Sequence, residues 1–292
     1  MQRKATKGIR TAFIATTTAA TMAFANATGA QAVQPIINLG TTESFAVLAG
    51  SGITNLGATT VSGTAGGDMG SSATPAFTGE ADVTTTGTKY TAASAAVDEA
   101  KADLVLAYDD AASRIPADPV SADLGGQTLT EGVYNSASSL GLTGTLTLDA
   151  ENNPDAVFIF QAGSTLTTAA ASKVALINGA QACNVYWQVG SSATFGTTTE
   201  FVGHVFALVS ITANNQATFE GQLLARNGAV TLEENTITNN LCQEVVPTPT
   251  PTTDDGGELP NTDTTDWLFP LITGLALVAV GAGVFIARRK RN

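Results

Sequence analysis

The sequence predicts a mostly β fold, with short strands stacked as the coils of a β-solenoid and a single helix laid beside the stack. Three observations lead there. Short pieces that alternate small hydroxyl and apolar residues recur along the chain: Thr145-Leu-Thr147-Leu, Thr165-Leu-Thr167-Thr, Ser192-Ala-Thr194-Phe, Ser210-Ile-Thr212-Ala and Ala229-Val-Thr231-Leu. Their starts differ by 20, 27, 18 and 19 residues, the long interval holding an extra segment over 178–184. A period near twenty with strict alternation is the pattern of one coil per repeat, apolar members pointing inward. Before these pieces come unbroken apolar runs, Val157-Phe-Ile-Phe160, Val185-Tyr-Trp187, Val205-Phe-Ala-Leu208 and Leu223-Leu-Ala225, which read as strands covered on both sides. Glycines 163, 190, 203, 221 and 228 fall where the coils must turn.

In chain order, residues 1–32 read as a signal peptide. Arg3, Lys4, Lys7 and Arg10 are followed by an uncharged stretch to Ala25 and by two small-x-small cleavage sites, ending at Ala27 and Ala32. The second is preferred because Val33-Gln34-Pro35 then leads into structured sequence. The folded domain is expected over 33–243. Within it, the Gly-, Ser- and Thr-rich stretch 55–90 has weak periodicity and is expected to form an irregular cap. Residues 91–115 form one amphipathic helix: Val97, Leu104, Tyr108, Ala111 and Ile115 fall on one stripe, Asp98, Asp109 and Asp110 lie away from it, and Pro116 stops it.

Residues 244–258 alternate proline with threonine and form an extended, solvated spacer. The end of the chain carries Leu259-Pro260-Asn261-Thr262-Asp263, then an uncharged apolar run over 267–287, then basic residues in 288–292. The run is long enough to cross a hydrocarbon core of about 30 Å, and the basic tail would hold that end in the cytoplasm. The order of motif, span and tail resembles the cell-wall sorting signal of Gram-positive bacteria. The resemblance implies that a sortase cleaves after Thr262 and joins the chain to peptidoglycan. Asp263 stands where that signal has glycine, so two anchors stay open: the wall, or the membrane through a retained span. Either places the domain on the extracellular face of the cell.

The net charge is −12, and eight of the thirteen basic residues sit in the two ends, so the outward portion is strongly acidic. That speaks against a nucleic-acid partner. Cys183 and Cys242 in an exported chain predict one disulfide. Two cysteines and one histidine are too few for a zinc site, and neither metal nor cofactor is expected. Asp149, Glu151 and Asp155 lie together but read as a turn between coils rather than a catalytic or calcium site. His204 reads as a coil-edge residue, Arg226 as a group with a structural partner such as a backbone carbonyl, and Tyr134, Tyr186 and Trp187 as core. The chain is not read as an enzyme.

Several motifs then occur in one order: Asn38-Leu-Gly-Thr-x-x-x-Phe45-Ala-Val-Leu-Ala49, Gly132-Val-Tyr, Ala156-Val-Phe-Ile-Phe160-Gln161-x-Gly-Ser-Thr-Leu-Thr-Thr168, Cys183-Asn-Val-Tyr-Trp187-Gln-Val-Gly-Ser-Ser-Ala-Thr194 and Leu223-Leu-Ala-Arg226-Asn-Gly-Ala-Val-Thr-Leu232. Together they resemble the ice-binding-like family (domain of unknown function 3494). The resemblance implies a discontinuous right-handed β-solenoid of roughly triangular section, a helix packed alongside, a capping insertion, and adsorption to ice through one flat face. Two columns have the required form: Thr147, Thr167, Thr194, Thr212 and Thr231, and beside them Thr145, Thr165, Ser192, Ser210 and Ala229. The Thr-Ala/Gly-x-Thr/Asn motif of some active members occurs as Thr212-Ala213-Asn214-Asn215. The other reading of the same features is a monomeric wall adhesin that uses this fold to contact another surface ligand.

Overall fold

The computed structural model describes residues 33–243. The expected leader, spacer, sorting-type motif, apolar span and basic tail lie outside the described residues.

Alternation and apolar runs produce what they predict. Every ladder between strands is parallel, and each coil turns through three faces. The first, the helix face, contains Gly132–Ser136, Phe158–Ala162, Val185–Val189, the second halves of Glu200–Ala207 and Thr218–Ala225, then Phe45–Ala49 and Asp68–Ser71. The second is a seven-stranded sheet of Leu140–Leu142, Leu166–Thr168, Ala193–Phe195, Ile211–Ala213, Val230–Glu233, Ile53–Leu56 and Phe77–Thr78. The third, the open face, contains Thr145–Asp149, Lys173–Ile177, the first halves of Glu200–Ala207 and Thr218–Ala225, Thr236–Thr238, Thr59–Ser62 and Val83–Thr85.

The stack is discontinuous in sequence. The N-terminal rungs pair onto the C-terminal one, with Val47 opposite Leu223, Thr54 opposite Thr231 and Thr60 opposite Thr236. The chain thus builds two rungs at one end, returns along the stack as a helix, and builds five more rungs back to where it began. The lengths agree: 19 helical residues rise about 28 Å, and seven rungs at about 4.8 Å separation span about 29 Å.

The helix occupies Ala95–Ser113, shorter than the 91–115 expected. Its stripe of Val97, Ala100, Leu104, Ala107, Tyr108 and Ala111 packs on Phe45, Leu48, Val157, Ile159, Phe206 and Leu224 of the helix face. This second layer explains why strands of that face are apolar on both sides. Ile115 does not join the stripe: the backbone is already extended at Arg114, and Ile115 is 79% exposed. Lys101 latches helix to stack by donating to the carbonyls of Ala225 and Arg226, both at 2.6 Å, and burial, with Arg226 nearby, lowers its pKa to about 8.

The interior holds an aromatic ladder. Phe160 stacks on Trp187 at 4.0 Å between centroids, Trp187 meets Phe201 at 4.8 Å, and Phe195 meets Phe201 and Phe219 at 4.6 and 5.0 Å. Tyr134, Tyr186 and Trp187 are buried core residues, in accord with their reading from sequence. The strands Glu200–Ala207 and Thr218–Ala225 bend from one face to the next at Gly203 (φ +109) and Gly221 (φ +145). A Cβ there would lie 2.6 and 2.1 Å from the carbonyl oxygens of the preceding coil, so only glycine fits.

One expectation needs correction here. The stretch 55–90 is not an irregular cap: its strands extend all three faces as ladder rungs, Asp68–Ser71 pairing with Phe45–Ala49, Phe77–Thr78 with Ile53–Thr54 and Val83–Thr85 with Thr59–Val61. Its strands of two to four residues are too short to show a period. Arg226 has structural partners, a carboxylate and a ring: Nη1 donates to Asp109 at 2.8 Å, and the guanidinium lies 4.9 Å from the Tyr108 ring centroid.

Candidate functional site

Among the described residues no element covers the seven-stranded face, and its register decides what it shows to solvent. Along each strand the flanking residues point inward and are buried: Leu166 and Thr168, Ala193 and Phe195, Ile211 and Ala213, Val230 and Leu232. The residue between them points out. Following the ladder, the outward residues form one column, Gly141, Thr167, Thr194, Thr212, Thr231, Thr54 and Thr78. All are exposed or half-buried. A second column stands two residues earlier: Ser139, Thr165, Ser192, Ser210, Ala229, Gly52 and Ala76. Its alignment is fixed by backbone bonds such as Leu166 N–H to Ser192 O (3.1 Å), Ala193 N–H to Ser210 O (2.9 Å) and Val230 N–H to Gly52 O (3.0 Å).

Neither column contains a charge. Adjacent rungs lie about 4.8 Å apart and alternate residues about 6.7 Å apart along a strand. Except at Gly141 and Gly52, which carry no side chain, the face is a regular lattice of hydroxyl and methyl groups. It is bounded on its other side by Glu233 and by Leu56, which is 53% exposed. No register shift occurs in this sheet. Beneath it, Thr168 Oγ1 meets Thr199 Oγ1 at 2.9 Å and accepts from the Gly196 N–H at 2.9 Å, so the buried hydroxyls are satisfied.

Eight of the ten expected face residues are brought together here: Thr165, Thr167, Ser192, Thr194, Ser210, Thr212, Ala229 and Thr231. Thr145 and Thr147 are not. They lie on the open face, where Thr145 pairs with Lys173 and Thr147 with Ala175. The seven-stranded face of that coil is Leu140-Gly141-Leu142 instead. The twenty-residue interval between Thr145 and Thr165 has the length of one coil but crosses from one face to another. Conversely, the repeat pattern does not reach Thr54, Thr78 and Ser139, which the lattice includes. Ile53-Thr54 repeats Ile211-Thr212 in sequence, but its rung stacks after the C-terminal coil, so no fixed period leads to it.

The remaining candidates have structural surroundings. Cys183 and Cys242 are joined, with Cα atoms 5.4 Å apart. Glu151 and Asn152 take φ of 50° and 68° in the turn after Asp149, whose carboxylate accepts from the Glu151 N–H at 2.8 Å. His204 sits at the corner between open and helix faces, stacked on Tyr186 at 5.3 Å, with Nε2 3.2 Å from Cys183 O. Gln222 also lies against it, although His204 Nδ1 and Gln222 Oε1 make no well-aligned bond. Burial pushes the His204 pKa down to about 4. Among the described residues no group of three His, Cys, Asp or Glu is placed to hold a metal, and no helix is long and apolar enough to cross a membrane.

Fold and site together define a parallel β-solenoid with a helix along one face and a hydroxyl-rich lattice on another. The chain belongs to the ice-binding-like family, whose pattern it matches over residues 47–238. It is 46% identical over 203 residues to an ice-binding protein of Nostoc sp. (strain HG1), covering 69% of this chain and 73% of that one. It is 35% identical over 219 residues to an ice-binding protein of Colwellia sp., covering 69% and 83%. Among solved structures it is similar to an ice-binding protein from an Antarctic biological consortium (TM-score 0.68, 47% identity, 71% of this chain and 93% of that chain). It is also similar to one from the Antarctic ascomycete Antarctomyces psychrotrophicus (TM-score 0.66, 39% identity, 73% and 100%).

Proposed function

We propose that this chain adsorbs to ice through its seven-stranded face. The observation that carries the reading is the uncharged, in-register column Thr167, Thr194, Thr212, Thr231, Thr54 and Thr78, flanked by a second column of small residues. A lattice of this kind holds a layer of water at fixed spacing, so little ordering remains to be done when that layer joins an ice plane. The rigidity of the ladder keeps the entropic cost of adsorption low. Each contact is weak, and the sum over rungs gives retention. The relatives' description as ice-binding proteins supports the same reading. No catalytic step is involved.

We further propose that the domain is displayed outside a Gram-positive-type cell, exported by 1–32 and held through 259–292, by sortase-made attachment to peptidoglycan at Thr262 or by the membrane span 267–287. The residue order in the sequence supports this. A wall-released chain ending at Thr262 by mass would establish the covalent form.

Thermal hysteresis and recrystallisation inhibition by residues 33–243 test the ice reading. Thr194→Tyr and Thr212→Tyr, which put bulk in the centre of the lattice, should each abolish ice shaping while leaving circular dichroism unchanged. A folded wild-type domain with no effect on ice at high concentration would leave adhesion to another surface as the reading.

A further inference from the structure

We propose that the Cys183–Cys242 disulfide, with the Gln181–Gln243 amide pair beside it, is a staple that delivers tension from the C-terminal side into the middle of the stack. It bypasses the strand Thr236–Thr238. The use of such a staple rests on the display reading above; its existence as a force path does not.

Thr236–Thr238 is a seam. On one side it pairs with Thr218–Glu220, on the other with Thr60–Ser62 of the N-terminal rungs. The residues after it fasten those rungs as well: Asn239 N–H donates to Ser62 O at 2.7 Å, Ala65 N–H to Asn239 O at 3.0 Å, and Asn239 Nδ2 to Glu43 O at 2.8 Å. A three-residue strand pulled from its free end gives way one bond at a time. Losing it would detach from the open face the rungs that carry Thr54 and Thr78.

Past Asn239 the chain has little beneath it. Residues 240–242 run between cavities of about 660 and 620 Å³ that both reach Cys183, and Leu241 is 49% exposed. Leu241 N–H finds Thr64 Oγ1 at 3.0 Å, and then the disulfide takes over. Gln243 N–H donates to Gln181 Oε1 at 2.7 Å, and Gln181 Nε2 to Gln243 O at 3.3 Å.

The other side of the staple is tied into the stack. Gln181 Nε2 and Asn184 Nδ2 both donate to Pro154 O, at 3.0 and 3.2 Å, and Cys183 O meets His204 Nε2 at 3.2 Å. The turn is thus tied to the coils before and after it. It leads straight into Val185–Val189, every residue of which is buried. Tension arriving at residue 244 therefore enters through Cys242 and Cys183 at this strand, leaving the seam unloaded.

The test is single-molecule pulling of the full chain between its C-terminal residue and a handle at exposed Ala170, in oxidised protein, in Cys242→Ser, and in folded wild type reduced immediately before pulling. The third arm stands if the variant does not fold. The expected result is a new first rupture at lower force in the two thiol forms, releasing the segment from residue 235 to 243, and absent from the oxidised form. Hydrogen exchange of the same samples should show 60–62 and 236–241 losing protection on reduction before 185–189. An unchanged first rupture, in force and in length released, would overturn the staple. Display would stand untouched, since only the C-terminus of cell-derived protein reports on it.

Discussion

Two faces of the same coils present threonine at alternating positions, yet they offer solvent different surfaces. On the seven-stranded face the outward column runs Gly141, Thr167, Thr194, Thr212, Thr231, Thr54, Thr78. On the open face, one corner further along each coil, it runs Thr145, Lys173, Glu200, Thr218, Thr236, Thr60, Thr84, with Glu220 in the column beside it. Lys173 and Glu200 form a half-exposed ion pair at 2.6 Å, worth at most about 1 kcal/mol. Its importance is that two hydrated charges break the hydroxyl lattice. Threonine content therefore does not distinguish the two faces. Register does, because it decides whether identical groups line up over many rungs.

The comparison is broken most severely from beneath. Phe195 is fully buried under the centre of the seven-stranded face, against Phe201 and Phe219. Phe195→Ala is expected to cost about 3–5 kcal/mol in denaturant unfolding. Leu176→Ala, under the open face where the side chain is only partly buried, should cost clearly less. Equal costs would mean that the lattice has no stiffer floor than its neighbour.

Much of this was legible in the sequence. Alternation marked the inward positions, unbroken apolar runs marked the face that the helix covers, and four rungs of the lattice, from Thr167 to Thr231, lay at intervals that a search along the chain can follow. Two things were not legible. Which face an alternating piece occupies depends on the length of the preceding corner: Gly141, not Thr147, stands opposite Thr167, because the coils there are 26 and 27 residues long, longer than the 18 and 19 that follow. And Thr54 joins Thr231 only because the chain returns to its start, a contact across sequence that no local pattern contains.

Acid should separate the stability of the molecule from the action of the lattice. His204 has its pKa lowered by burial to about 4, against an ordinary value near 6.5. Above pH 6.5 it is neutral folded and unfolded, and contributes nothing to the pH dependence. Between 6.5 and 4 the unfolded chain takes up a proton that the folded one refuses, so stability falls with pH, by up to about 3 kcal/mol; below 4 the loss levels off. Asp103 and Asp123, held below the ordinary range chiefly by backbone N–H groups of Thr41 and Gly125, add losses of the same sign at lower pH. His204→Gln should flatten the 6.5-to-4 segment of the unfolding curve. Ice adsorption by molecules still folded should be unchanged across that range, because neither lattice column contains a titratable group. A loss of activity that tracks His204 without unfolding would show that the open-face corner takes part.

The finest test uses the two threonines that sequence and structure place differently. Thr147 belongs to the repeated Thr-x-Thr pattern yet lies on the open face; Thr54 lies outside the pattern yet stands between Thr231 and Thr78 in the lattice. Both are half-buried strand positions pointing outward, so tyrosine at either should be tolerated by the fold. If adsorption follows register, Thr54→Tyr should raise the concentration needed for recrystallisation inhibition more than about tenfold, equivalent to about 1.4 kcal/mol, and Thr147→Tyr should leave it unchanged. The reverse result would move the adsorbing surface to the open face. Equal losses would mean that adsorption spans the corner between the faces, with Lys173 and Glu200 inside the contact rather than at its border.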